Sequence, residues 1–167
     1  MSKTKLYILS INLLVVLGFF LFQTFRAEDK IRDGETVLLK IRPVDPRSLM
    51  QGDYMQLYFS LSDSVKYHNY NDGGDTMRYC VITLDDDHVA QFVKIQSSPD
   101  GLMAGERVLR YSIGENKMDV IFGTNTYFFE EGSSDKYRDA QYGMFKMDTK
   151  GNCILIGLCG KDKKLIE

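Results

Sequence analysis

The chain has 167 residues, 44% hydrophobic and 26% charged, which is enough for one membrane segment and one domain that buries its own core without metal or disulfide staples. Formal net charge is −2, and subtracting Lys3 and Lys5 of the first 25 residues from the 21 basic ones leaves 19 against 23 acidic, or −4 for the remainder. That balance excludes a nucleic-acid partner held by phosphate contacts. Ten Tyr, ten Phe and no Trp fit a pleated, half-buried β structure better than a helical bundle.

Residues 6–25, LYILSINLLVVLGFFLFQTF, carry no charge. As a helix they reach ~30 Å, the thickness of a bilayer core. The run is longer than the apolar region of a cleaved signal peptide, and Phe25-Arg26-Ala27 is no small-x-small cleavage site. The expectation is an uncleaved, single-pass anchor over 1–25 that meets the lipid bilayer through 6–25. The basic flanks on its two sides nearly balance, and the short basic tail Lys3/Lys5 before the apolar run favours an inner-membrane protein with its C-terminal domain extracytoplasmic. Residues 26–34, RAEDKIRDG, read as a short linker that spans at most ~30 Å when extended.

The domain then occupies 35–167. Alternation in ETVLLKI (35–41) predicts a mostly buried strand, and further strands are expected at 53–61, 78–84, 88–96, 107–113, 118–122, 142–147 and 153–158. Their separators, among them Asp85-Asp86-Asp87, Ser98-Pro99-Asp100-Gly101 and Thr149-Lys150-Gly151-Asn152, are turn chemistry. SSDKYRDA (133–140) opens on Ser and suits a helical turn or two. The fold class expected is mainly β: an antiparallel sandwich or partly open barrel with one or two short helical turns. Cys153 and Cys159 are six apart on one strand, which places them on one face ~20 Å apart, beyond disulfide reach. Only Cys80 has the freedom to bridge to either, and buried apolar thiols are the plainer reading.

Residues 43–61, PVDPRSLMQGDYMQLYFSL, carry the most information. Asp45-Pro46 is an N-cap and first-turn pair, and Gly52 supplies a helix stop, so a short helix at 46–51 precedes a strand from Asp53. In that strand Met55, Leu57, Phe59 and Leu61 form the core set, and Tyr54, Gln56, Tyr58 and Ser60 the other face.

From Gly52-Asp53-Tyr54 to Leu57, this segment resembles the motif of the bacterial GDYXXLXY family. PVDPRSLMQ before it, FFEEG (128–132) and ILIGL (154–158) extend the likeness over most of the domain. One departure is Phe59, which stands where the motif ends in Tyr, so the position is expected to work as a packed aromatic. The resemblance implies membrane association and work beside polytopic membrane proteins. It brings no established catalytic residues.

The candidate site residues are Asp45, Arg47, Asp53, Tyr54, Tyr58 and Glu131. A planar guanidinium at Arg47 suits two-point capture of a carboxylate or phosphate, and tyrosines combine apolar area with a polar tip. Arg47, Asp45 and Asp53 also fit a structural ion pair at one corner. One of Glu130 and Glu131 points inward if the strand alternates, toward Arg47 or Arg42, whereas acidic residues opening a loop is the plainer reading.

The catalytic alternative is an extracytoplasmic hydrolase distantly like signal-peptidase-type β proteins, or one built on carboxylates. Ser48 would then need a base such as Lys40 or Lys94, and its spacing to Gly-Asp is short for that family. Asp85–His88 reads as a solvated hairpin tip rather than a metal site. Residues 69–75 lack the Glu that closes an EF-hand loop, and His68 and His88 are too far apart for a local zinc signature. The expectation is a binding or assembly module, not an enzyme, with no cofactor and an integral membrane protein as partner.

Overall fold

The computed structural model describes residues 3–42, 54–71, 79–114 and 119–166. The segment from Pro43 to Asp53, which holds Asp45, Arg47, Ser48 and Asp53, lies outside the described residues, as does the helix expected at 46–51.

Helix α1 runs Lys3–Asp33, 31 residues, about 46 Å at 1.5 Å per residue. It therefore carries helix through most of the stretch read as a linker, and residues 26–33 advance the chain only ~12 Å rather than ~30 Å. Among the described residues no helix is long and apolar enough to cross a membrane. The longest unbroken run of described α1 side chains is residues 10–24, fifteen positions, all exposed, so the membrane expectation is not decided by the fold.

The domain is β-rich and antiparallel. Strands β1 (Glu35–Lys40), β9 (Tyr142–Met147) and β10 (Cys153–Cys159) form one sheet in the order β1-β9-β10. A second joins β4 (Ala90–Gln96), β3 (Tyr79–Leu84) and β5 (Glu106–Arg110) in the order β4-β3-β5. Two short ribbons pair β2 (Tyr54–Gln56) with β8 (Thr126–Phe128) and β6 (Ser112–Ile113) with β7 (Val120–Ile121). Short helices α2 (Ser60–Asn71) and α3 (Ser134–Tyr137) complete the order.

Val37, Leu39, Leu57, Phe59, Ile82, Leu109, Phe122, Phe145 and Leu158 share one buried core. The opposite face of the first sheet buries a smaller cluster of Leu38, Val89 and Cys159, flanked by Tyr142 and Met144. Strand β1 can be buried on both faces because the 85–89 turn covers its second one. His88, at φ 62, accepts the Leu38 N–H through its carbonyl at 2.9 Å. Asp85 accepts the Val89 and Asp87 N–H groups at 2.9 and 3.0 Å, and these bonds, that to Val89 foremost, hold its carboxyl below the usual carboxylate range. Asp85 thus closes its own turn.

Two sequence expectations need correction. The strand expected over 53–61 ends early, because Ser60 begins α2; Leu61 and Val65, four apart, still bury on one helical side. Cys153 and Cys159 do not share a face. A bulge between Leu155 and Gly157 inserts one residue, so Cys153 pairs with Met147 on the main-core side while Cys159 pairs with Tyr142 on the other. None of the three cysteines forms a disulfide, and burial pushes the Cys80 thiol up to about 12. The helical turn expected within 133–140 is present as α3, with Asp135 in its first turn but no side-chain cap from Ser133.

Turn 149–152 docks on β5. Gly151, at φ 80, donates none of this contact but its carbonyl accepts the Arg110 N–H at 2.8 Å, and a Cβ there would stand 2.6 Å from the Val108 oxygen. Gly151→Ala is expected to destabilise the domain by about 2 kcal/mol through strain and collision, read as a lower unfolding midpoint in denaturant.

Candidate partner-binding surface

The motif strand is held by its inward side chains. Leu57 and Phe59 are each 2% exposed, and the Phe59 ring meets Phe145 edge-on, with centroids 5.5 Å apart. The apolar ring at position 59 is packed, as its lack of a hydroxyl requires. Gly143 makes the approach possible, since a Cβ there would lie 3.0 Å from Phe59 and 3.1 Å from Phe145. Backbone bonds extend the anchoring: Leu57 N–H to Asn125 O at 2.7 Å and Arg42 N–H to Tyr58 O at 2.6 Å.

With those residues inward, Tyr54, Gln56 and Tyr58 face out. Pairing with β8 is in register Tyr54↔Phe128, Met55↔Tyr127 and Gln56↔Thr126. Residues opposite each other on paired strands share a face, so an outward Tyr54 brings an outward Phe128. The two ring centroids lie 5.9 Å apart with the planes tilted by 49°, and Phe128 is 74% exposed. Tyr54–Gln56 of the first stretch that carries the family likeness and Phe128, the first residue of the second, therefore meet in one ribbon.

Beside it lies an open cleft of about 540 Å³, lined by Tyr127, Phe129, Glu130, Ser133, Lys136 and Tyr137 among others. Its wall is aromatic: Tyr137 stands 5.2 Å from Tyr127 and 5.5 Å from Phe129 between ring centroids. Glu130 and Lys136 at its rim are both exposed, giving the cleft a charge of each sign. Such a surface offers stacking area and a polar rim; among the described residues no three His, Cys, Asp or Glu side chains come together to hold a metal ion.

Of the residues singled out from sequence, Tyr54 and Tyr58 are on the outward face and Glu131 is exposed in the turn after β8. Glu130 and Glu131 do not alternate, because β8 ends at Phe128 and the chain turns at Gly132, φ 80. Arg42 pairs instead with Asp63 of α2, at 3.1 Å to each carboxylate oxygen; both side chains are more than half exposed, so the pair adds little stability. Lys40 is exposed, and Lys94 sits 4.0 Å from Glu106. Phe128, Lys136 and Tyr137 were not among the sequence candidates. The aromatic run 127–129 was the available signal, and it needed the β2 partner to tell which ring faces out.

Burial, then a hydrogen bond to Tyr137, pushes the Tyr127 hydroxyl up to about 12. Neutral Tyr127 is the form the fold favours, so its contribution is complete below pH ~10, where an unfolded tyrosine starts to ionise, and fades as pH rises through about 12. Absorbance titration should show a late tyrosinate component that Tyr127→Phe removes. A titration curve unchanged in that variant would contradict the assignment.

Neither a curated protein nor a solved structure matches the chain. The family model described as GDYXXLXY protein matches residues 16–158, from within α1 to the penultimate residue of β10. The match takes in the motif strand, its β8 partner and the central sheet alike, and the chain belongs to the GDYXXLXY protein family.

Proposed function

We propose that the chain is a membrane-anchored, non-enzymatic binding or assembly module that meets an integral membrane partner through the outward face of β2 and β8. The observation that carries this reading is the Tyr54–Phe128 pair: two large rings, 40% and 74% exposed, side by side on a ribbon built from both family segments. Exposed aromatics grouped at a cleft mark interaction surfaces more often than scattered ones do. Glu130, Glu131 and Lys136 supply the polar rim, and Tyr58 extends the same strand's outer face. Asp53 immediately precedes Tyr54 in sequence, Arg47 and Asp45 lie seven and nine residues before it, and the three belong to the same proposal as charged contacts.

The anchor rests on α1. Tyr7, Ile11, Leu14, Phe20 and Phe22 are each more than half exposed, a row of side chains that water solvates at a cost and lipid does not. The described side chains at 10–24 fall short of a full span, and the sequence extends the uncharged run to twenty residues, 6–25, the length a bilayer core requires. The short basic tail Lys3/Lys5 before the apolar run supports an N-terminus inside and a domain on the extracytoplasmic side of the inner membrane.

Phe128→Ala should leave the unfolding transition in place, since the side chain is mostly in solvent, and abolish recovery of a cross-linked integral membrane partner. Undiminished recovery would contradict the surface assignment. Added protease should digest the domain in cells whose outer barrier is opened, and protection there would reverse the orientation.

A further inference from the structure

The connection from β4 to β5, which crosses from one side of β3 to the other, carries an outward apolar tip that the partner surface does not use. Leu102 is 38% exposed and Met103 71%. Gly101 and Gly105, at φ 76 and 86, bracket them in backbone that an L side chain resists. The loop is held in this form by its own bonds. Glu106 N–H donates to the Met103 carbonyl at 3.0 Å, while the Glu106 carboxylate accepts the Met103 N–H at 2.9 Å. On the other limb, Gln96 donates to the Asp100 carbonyl at 3.1 Å, and Ser98 Oγ bonds Asp100 at 2.7 Å. A loop closed this way holds its methionine in solvent.

The tip lies beside the end of α1. Leu102 lines one cleft of about 510 Å³ together with Asp33, Gly34, Glu35 and Arg107. Arg107 grips Glu35 with two bonds, 2.6 and 3.1 Å, and Lys146 donates to the Gly34 carbonyl at 3.1 Å. These contacts fix where α1 enters the domain. Because α1 remains helical to Asp33, that entry point stands ~12 Å past Phe25 along the helix axis, about 4–7 Å beyond a headgroup region roughly 5–8 Å deep, a gap that one leucine or methionine side chain leaning toward the bilayer spans. Resting on the reading of α1 as the anchor, we propose that Leu102 and Met103 dip into the interfacial layer of the bilayer and form a second membrane contact. One helix alone leaves the domain free to swivel about its axis; a second contact on one side sets which face of the domain looks along the membrane.

The absence of Trp from the chain allows a direct test with single-Trp variants of the full chain in phosphatidylcholine vesicles containing brominated lipid. Met103→Trp is the probe, Leu17→Trp reports the anchor, and Gln141→Trp, which accepts the Ile41 N–H at the far end of β1, controls for the interfacial preference of indole itself. The expected result is a blue shift and loss of emission at positions 17 and 103 and neither at 141. Quenching at 17 without quenching at 103 overturns the second contact and leaves the anchor standing. No quenching at either overturns both readings. Quenching at 103 and 141 alike reduces the signal at 103 to indole partitioning and overturns the inference.

Discussion

The packing of Phe59 against Phe145, over the bare backbone of Gly143, is the contact on which the domain's organisation turns. Phe145 lies on β9, the central strand of its sheet, and is wholly buried. Phe59 lies at the junction of the motif strand and α2. Their meeting joins the family's signature segment to the sheet that holds β1, β9 and β10. Edge-to-face rings of this kind add about 0.5–1.5 kcal/mol beyond their buried area, and the burial of two phenylalanines contributes more.

The outward face follows from that inward lock. Once Leu57 and Phe59 are committed to the core, strand alternation turns Tyr54 and Tyr58 out, and the antiparallel register brings Phe128 out with them. The aromatic pair is thus presented by a strand whose other side is core, which keeps its geometry fixed. The same economy governs the end where α1 enters the domain. There the Glu35–Arg107 pair and the helical continuation of α1 to Asp33 fix the junction of helix and domain instead of leaving a loose tether.

Local chemistry made much of the fold legible. Strands β1, β3, β4, β9 and β10 fall where alternation and their turns predict, and Asp85 bonding Val89 is the hairpin tip that three consecutive aspartates imply. Helix α2 was hidden because Met55-x-Leu57-x-Phe59-x-Leu61 alternates through its start. Ser60-Leu61-Ser62-Asp63, with the spacing of a helix opening, was the competing signal. The β10 bulge was not legible, since one extra residue leaves no compositional mark yet reverses the face of everything after it. Tyr54 and Tyr58 could be assigned outward from the motif alone. Phe128 could not, because its direction depends on a strand 74 positions earlier in the chain, and a pairing at that distance is not written in any local pattern.

The dependence of the presented surface on the Phe59 lock can be measured by amide hydrogen exchange in Phe59→Ala. Loss of the ring should raise exchange at Tyr54–Gln56 and Thr126–Phe128 well above that of β3 and β5, whose pairing does not involve it. Protection of β2 and β8 that stays at the level of the unaltered protein, or falls equally everywhere, would contradict the claim that this contact holds the family's two segments in place.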